Sequence, residues 1–241
     1  MNFELFSSYG PKILWGLTVT LQLVLTSALI GAVLALPLAL VRNSEFVIPR
    51  YLAKAYIVFF RGTPLLGQIF LIYYGAGQIR SELTSLGLWW FFKDAYFCAL
   101  FAFTLNTTAY QAEILRGALS SLPRGQLEAA NSLGLSQGTT FFQILLPQAM
   151  IIALRPLGNE LILPLKASAL ASVVTVPEIM QATKLAYSRS FDFEVYIWAA
   201  VLYLIMVETI RRLWGVLEMY LTRHLRHRVA PATNPTVAVQ A

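Results

Sequence analysis

Charged residues are the scarcest component of this sequence, at 12% of its 241 residues. Soluble globular domains carry about 25% charged residues, so the chain has too little polar material to cover a water-exposed surface. Hydrophobic residues make up 57% of the sequence, and its mean hydropathy is +0.63. The composition therefore excludes a soluble domain and predicts an integral membrane protein.

Cysteine and histidine are nearly absent. The single cysteine, Cys98, lies in an apolar run, so it has no disulfide partner and is interpreted as a small hydrophobe. The two histidines, His224 and His227, lie in a basic run, where solvation or lipid contact is favoured over metal binding. Because no Cys/His cluster has metal-ligand spacing and no histidine suits a Ser-His-acid triad, the sequence predicts neither a metal site nor an enzyme.

Several functional signatures are also missing. There is no Gly-x-x-x-x-Gly-Lys-Ser/Thr loop, so we expect no ATP site or cofactor in this chain and an energy source in another subunit. No internal repeat supports the first rival, a secondary transporter driven by an ion gradient. The second rival, a membrane enzyme or assembly factor, lacks a catalytic constellation. The net charge of +6 comes largely from residues between apolar runs and near the C-terminus, which indicates membrane topology rather than nucleic-acid binding.

Five apolar ranges have the length of membrane helices. The first contains no charge between Ile13 and Val41, which is too long for the core of a signal peptide and predicts a retained helix. The second range is interrupted by Arg61 and Pro64. The C-terminal stretch 229–241, with two prolines among small residues, is predicted to be a disordered tail. The predicted transmembrane domain covers 1–228, with spans at 14–41, 55–79, 95–115, 144–165 and 193–213.

Basic residues predict the orientation of these spans. Lys12 alone precedes the first span, whereas Arg42, Arg50 and Lys54 lie between the first and the second. Five crossings put this group on the same side as the arginines near the C-terminus, so we expect an N-terminus outside and a C-terminus in the cytoplasm. The loop at 117–143 would then be cytoplasmic. The C-terminal arginines are Arg211, Arg212, Arg223, Arg226 and Arg228.

The loop at 117–143 contains a short run of good helix formers from Leu127 to Leu133. Breakers flank it, with Pro123 before the run and Gly134 or Gly138 able to end it in a left-handed conformation. The pattern predicts a short helix across the cytoplasmic face. Small residues at 129 and 130 would let another surface approach its backbone, although an ordinary connecting helix remains the alternative on these residues alone.

The same loop resembles one shared by the membrane subunits of ATP-binding-cassette (ABC) importers. The family pattern is Glu-Ala-Ala, three residues, Gly, nine residues, Ile, one residue, Leu-Pro, and this sequence keeps every spacing. The resemblance implies a type I importer permease fold, in which this loop forms a coupling helix that docks into a cytoplasmic ATPase subunit. The matching positions are Glu128, Ala129, Ala130, Gly134, Ile144, Leu146 and Pro147.

Three other stretches resemble the polar amino-acid permeases, over most of the chain from Gly16 to Tyr203. They are 61–66 followed by Gln68, 109–117, and 158–160. The chain looks most similar to the second permease subunit of histidine and opine uptake systems. That resemblance implies import of polar, basic amino acids or opine-like derivatives across a bacterial inner membrane. It also implies a similar but non-identical permease partner, two ATPase subunits that bind ATP and Mg, and a periplasmic binding protein.

Glu160 is predicted to lie in the middle of the fourth span. A carboxylate there costs about 2.5–3.5 kcal/mol on the translocon scale, so it should face the protein interior or a cavity. It either holds the ammonium or guanidinium group of a substrate or forms an ion pair with Arg155 or Lys166. Asn159 and Ser168 join Glu160 as candidate substrate-binding residues, on the strength of the resemblance.

One departure from the family concerns a second acid that follows the lysine of the fourth span. Here the segment reads Lys166-Ala167-Ser168, so a site with two carboxylates is incomplete. Our hypothesis is an asymmetric heterodimer in which the partner subunit supplies the better site.

Two other charged positions have structural interpretations. Arg61 is expected near the cytoplasmic boundary, where its side chain can reach the headgroups. Glu113 and Arg116 are expected to pair at i, i+3 on one helix face and to shape the coupling region.

Overall fold

Every regular element in the described part of the chain is helical. The computed structural model describes residues 3–226, with side chains for residues 7–223. No strand occurs in that part, which confirms the all-α prediction. The predicted tail at 229–241 and His227 lie outside the described residues, as does the side chain of His224. The helices are α1 (Phe3–Arg42), α2 (Val47–Gly62), α3 (Leu65–Gln78), α4 (Arg80–Ser85), α5 (Trp89–Phe92), α6 (Ala95–Ser120), α7 (Arg124–Ser132), α8 (Gln137–Thr139), α9 (Leu146–Ala167), α10 (Ile179–Ser190) and α11 (Glu194–Arg226).

Helices occupy most of each of the five predicted ranges. By length and composition, Ser7–Arg42 and Gln137–Val174 are each able to cross a membrane, and α2 with α3 would be a third span if counted together. The range Gln137–Val174 is continuous because a π-helical turn, Thr140–Leu145, precedes α9 and a 3₁₀ segment, Ser168–Val174, follows it. Helices α6 and α11 are long enough but less apolar.

A break between α2 and α3 divides the predicted range 55–79. The two helices meet at an angle of 105°, so the interruption predicted at Arg61 and Pro64 is a sharp break between two helices. Thr63 has an extended backbone, with φ −110° and ψ 147°, as expected for a residue that precedes proline. Pro64 follows and has no N–H to continue the hydrogen bonds of α2.

Helix α6 is the centre of the bundle, where it packs against α1, α2, α3 and α9. It begins at Asp94, whose side chain accepts a hydrogen bond from the backbone N–H of Tyr96 at 2.8 Å. Its middle is polar and largely buried. This explains why α6 has low hydropathy for a membrane helix: protein covers the polar positions.

Two apolar clusters pack against different parts of α6. The first is formed by its N-terminal part with α1, α3 and the segment after α9; the second is formed by its C-terminal part with α1, α2 and α9. The first cluster contains Val19, Leu23, Ile69, Ala99, Ala102, Phe103, Ala171, Val174 and Val176. The second contains Ala35, Ala39, Ile57, Ala112, Leu115, Ala118, Ala149 and Ala153.

Polar side chains occupy the level between these clusters, and we call them the polar layer. Five come from α6 and one each from α3 and α9, and all but Asn106 are buried. The fold therefore stacks apolar, polar and apolar levels along the bundle. The polar layer consists of Gln68, Thr104, Asn106, Thr107, Thr108, Gln111 and Glu160.

Glu178 fixes the start of α10 on the neighbouring helices. Its fully buried carboxylate accepts hydrogen bonds from the N–H groups of Met180 and Gln181, at 2.9 and 2.7 Å, and from the Tyr203 hydroxyl at 2.8 Å. Burial raises the pKa of Glu178, and these donors oppose that rise. Helix α1 passes close to the backbone of Glu178: a Cβ on Gly16 would lie 2.8 Å from the Glu178 carbonyl carbon. This cap was not predicted from the sequence, although an acid directly before a helix is a common start signal.

Candidate functional site

The coupling loop, residues 117–143, contains the predicted short helix as α7. Its end is a left-handed turn at Gly134, with φ +69°, where a side chain would be strained. The Gly134 N–H donates to the Asn131 carbonyl at 3.0 Å, and the Leu135 N–H donates to the Ala130 carbonyl at 3.1 Å. Gly134, rather than Gly138, therefore ends the helix. The predicted stop is confirmed.

Two apolar side chains are exposed on α7 and at its end. Leu133 is 77% exposed at the end of the helix, Leu127 is 46% exposed, and Glu128 and Ala129 are also exposed. Ala130, however, is only 3% exposed. The prediction that both alanines let another surface approach is therefore wrong for Ala130, because the chain's own packing covers it.

The remaining motif residues lie where the loop enters α9. Ile144 belongs to the π-helical turn, while Leu146 and Pro147 begin α9. Ile144 and Leu146 are half-buried, and Pro147 is exposed. Proline is well tolerated in the first turn of a helix, where its missing N–H has no helical partner to lose.

A pair of side-chain amides joins α7 to α9. Gln126 Nε2 donates to Gln148 Oε1, and Gln148 Nε2 donates to Gln126 Oε1, both at 2.7 Å. Gln148 Nε2 also donates to the Ile144 carbonyl at 2.8 Å. This pair was not predicted, because two glutamines 22 residues apart give no local signal that they meet.

Glu160 lies in the polar layer and is 6% exposed. The Thr107 hydroxyl donates to its Oε1 at 3.2 Å. Thr107 in turn accepts from Gln111 Nε2 at 3.0 Å, and the same nitrogen donates to the Ala28 carbonyl at 3.1 Å. This chain of hydrogen bonds links α1, α6 and α9 through one buried carboxylate.

The predicted alternative of an ion pair for Glu160 is wrong for Arg155. Arg155 Nε instead lies 2.5 Å from Glu218 Oε1 on α11. Lys166 is exposed, and among residues 7–223 neither it nor any other cation forms an ion pair with Glu160. A buried carboxylate that accepts from one hydroxyl and forms no ion pair among these residues is suited to receive a cation from elsewhere.

The other two predicted substrate residues do not share a pocket with Glu160. Asn159 is exposed and lines a cleft between α9 and α11 beside Arg155 and Trp214. Consecutive residues on a helix point about 100° apart, which explains why Asn159 and Glu160 face different helices. Ser168 is fully buried, and its hydroxyl donates to the Leu165 carbonyl at 2.8 Å.

Ala167, at the position of the missing acid, packs against the first apolar cluster. A carboxylate there would lie against apolar side chains. An apolar residue at position 167 therefore matches the apolar side chains around it.

A network of amides satisfies the backbone at the break between α2 and α3. Gln68 Nε2 donates to the carbonyls of Phe60 and Thr63, at 2.9 and 3.1 Å. Asn106 Nδ2 donates to the Phe60 carbonyl and to Gln68 Oε1, both at 3.0 Å. In lipid an unsatisfied carbonyl costs several kcal/mol, so these side chains make the break tolerable inside a membrane.

The predicted pair on α6 is confirmed. Arg116 donates from Nε and Nη2 to Glu113 Oε1, at 2.9 and 2.6 Å. Side-chain exposures of 29% and 25% place the pair at the edge of the bundle, next to the coupling loop that begins at residue 117.

Comparison with known proteins gives a consistent result. Residues 27–217 match the family of binding-protein-dependent transport system inner membrane components. A nopaline transport system permease protein, NocM of Agrobacterium fabrum, is 41% identical over 239 residues, covering 99% of each chain. An octopine transport system permease protein, OccM of Rhizobium radiobacter, is 42% identical over 219 residues, covering 87% of this chain and 89% of its own.

A solved structure agrees with these relatives. The crystal structure of an amino acid ABC transporter with histidines superposes with a TM-score of 0.79 at 33% identity. The match covers 91% of this chain and 99% of that chain. The fold is thus that of a type I ABC permease.

Proposed function

Because the chain belongs to the family of binding-protein-dependent transport system inner membrane components, we propose that it carries polar, basic amino acids or opine-like derivatives across a bacterial inner membrane. A separate subunit hydrolyses ATP, with bound Mg, to drive this import. The relatives named for nopaline and octopine support the substrate class. So does the buried Glu160, which forms no ion pair among the described side chains, residues 7–223.

The proposed topology has five spans, with the N-terminus outside and the C-terminus in the cytoplasm. The spans are α1, α2 together with α3, α6, α9 and α11. The basic residues of the first loop and those at the end of α11 lie on the same side of the membrane only if the number of crossings is odd. The amide network of Gln68 and Asn106 supports counting α2 and α3 as one broken span, because it satisfies the interrupted backbone.

In our proposal, α7 is the surface on which the ATPase docks. Its exposed apolar side chains, Leu127 and Leu133, would be covered by a docked subunit, and Glu128 and Ala129 are exposed beside them. Two such ATPase subunits would dock under a pair of permeases. The exposed apolar end of a helix with a fixed left-handed stop is the single observation that carries the coupling role.

The Gln126–Gln148 amide pair offers a route from the ATPase to the substrate path. Because α7 is bonded to the first turn of α9, a movement of α7 would move α9. Glu160 lies further along the same helix, in the polar layer. Nucleotide-driven closure of the ATPases would in this way alternate the access of the polar layer between the two sides of the membrane.

Glu160 is proposed to bind the ammonium or guanidinium group of the substrate. An extracytoplasmic binding protein would deliver that substrate, and a second permease subunit would complete the path. Since Ala167 replaces the family's second acid, we propose that the pair is asymmetric and that the partner holds the tighter site. Two tightly bound substrate molecules per purified complex would contradict this asymmetry.

The experiment compares two glycines of the coupling loop in the complete transporter, reconstituted with its binding protein in proteoliposomes. Gly134→Val forces a β-branched residue into a left-handed conformation, whereas Gly138→Val, in α8, has open space and no such constraint. We expect Gly134→Val to lower substrate-stimulated ATP hydrolysis and uptake at least about 30-fold, while insertion into the membrane is retained. Equal, near-normal coupling in both variants would contradict the docking role.

A further inference from the structure

Arg61 lies at the level of the polar layer. Ile57, one turn earlier on α2, belongs to the second apolar cluster, and Ile69, after the break, belongs to the first. The Tyr110 hydroxyl donates to the Arg61 carbonyl at 3.4 Å, and the Arg61 guanidinium carbon lies 5.2 Å from the centre of the Tyr110 ring. Along the bundle, Arg61 thus lies between the two apolar clusters.

The guanidinium of Arg61 is exposed and makes no salt bridge with the described side chains, residues 7–223. The nearest acid on α6, Glu113, is already bonded twice by Arg116. An arginine facing lipid at the centre of a membrane helix costs about 2.5–3.5 kcal/mol on the translocon scale. Arg61 therefore faces a polar space or another subunit instead of lipid.

Glu160 is an acid in the same situation as Arg61, because it too has no salt-bridge partner among the described side chains. Its contact Thr107 lies three residues, or about one turn, from Tyr110 on α6. No salt bridge joins Arg61 to Glu160 among the described side chains, residues 7–223. One level of the bundle thus holds an uncommitted cation and an uncommitted anion at some distance from each other.

We propose that Arg61 binds a carboxylate of the substrate while Glu160 binds its cationic group. This inference rests on the proposed import of basic amino acids or opine-like derivatives and names a second binding residue for it. A guanidinium presents a planar fork of donors that matches a carboxylate. Stacking on the Tyr110 ring holds that fork in place. The site would therefore select molecules that carry a carboxylate at a fixed distance from a cation.

The test uses two probes that differ only in the carboxylate: L-arginine and agmatine, which is the same guanidinium amine without it. Binding is measured on the purified complex of this chain, a wild-type partner permease and the ATPase, without binding protein. The wild type should bind L-arginine about tenfold more tightly than agmatine. Arg61→Gln should weaken L-arginine binding by roughly 10- to 100-fold, the loss expected for a charge-assisted hydrogen bond, and should change agmatine binding less than about twofold.

Arg50→Gln is the matched control. Arg50 lies on the same helix and also sits over an aromatic ring, that of Tyr51 at 5.7 Å, but it is near the start of α2 and outside the polar layer. It should leave the binding of both probes unchanged. Arg61→Lys, which keeps the charge, should recover part of the L-arginine affinity.

Three results would overturn the proposal: equal affinity of the wild type for both probes, equal losses of both in Arg61→Gln, or no loss of either. A wild-type complex that binds neither probe would contradict the basic substrate class and this inference with it. Failure of ATP-driven coupling is seen separately, in the comparison of Gly134→Val with Gly138→Val.

Discussion

The coupling loop and the polar layer are built in opposite ways. In the loop, the decisive features are local: a helix of nine residues, a left-handed glycine after it, and an apolar residue left exposed at its end. In the polar layer, the decisive contacts join different helices, since Glu160 accepts from Thr107 on α6 and Gln68 donates to a carbonyl at the end of α2. The first arrangement suits a surface that another protein grips, and the second suits an interior that must stay polar inside an apolar bundle.

The largest expected effect in the bundle separates these two regions. Glu160→Gln keeps the size of the side chain and its contact with Thr107 but removes the charge. We expect uptake of a cationic substrate to fall by about 10- to 100-fold, because a charge-assisted contact is worth roughly 1.5–3 kcal/mol. Initial rates in proteoliposomes measure the loss.

The same variant should still bind the ATPase as the wild type does, because α7 is unchanged. Glu218→Gln removes the charge of another acid, one that is paired with Arg155 outside the polar layer, and should change uptake much less. Equal losses in the two variants would mean that the polar layer has no special role in transport.

Local features could be predicted from the sequence, and the coupling loop shows why. Helix formers between Pro123 and Gly134 predict α7 from local signals alone, and the i, i+3 spacing of Glu113 and Arg116 is enough to predict their pairing. By contrast, Pro64 predicts a break but not its angle of 105°. That angle depends on how α3 packs against α6.

The polar layer could be predicted only in part for the same reason. A lone acid in an apolar run identifies Glu160, but its partner Thr107 is 53 residues away. Asn106, Gln68 and Gln111 give no signal in the sequence, because only the packing of α3 against α6 brings them to one level. Asn159 shows the opposite error: it was predicted to share a site with Glu160, its neighbour in sequence. Adjacent residues of a helix point in different directions, so the two lie on different faces of α9.

A smaller effect is expected where the two regions are joined. Gln126→Glu or Gln148→Lys alone replaces one member of the amide pair by a charge, and each should lower coupled uptake by about tenfold. Combining the two puts opposite charges face to face and should bring uptake back to within about threefold of the wild type. The measurement is a double-mutant cycle on uptake and on substrate-stimulated ATP hydrolysis.

Basal ATP hydrolysis serves as the control for that cycle, because it does not need the link between α7 and α9. If the fold-loss of uptake in the double variant equalled the product of the fold-losses in the two single variants, the amide pair would not transmit movement between the loop and the polar layer. The two regions would then communicate through other contacts.

The smallest expected effect tests how tightly the polar layer is packed. Gly31 on α1 faces α6 so closely that a Cβ would lie 2.7 Å from Thr107 Cγ2 and 3.2 Å from Gln111 Nε2. Gly31→Ala should therefore displace Thr107, destabilise the protein by about 1–3 kcal/mol as overpacking typically does, and lower uptake only a few-fold.

Gly67→Ala is the matched control, since nothing lies within 4 Å of its Cβ and alanine favours the helix. Thermal unfolding in detergent should show a lower midpoint for Gly31→Ala and an unchanged or higher one for Gly67→Ala. Similar midpoints would mean that α1 can move away from α6 at no cost, and that the polar layer is as adaptable as the coupling loop.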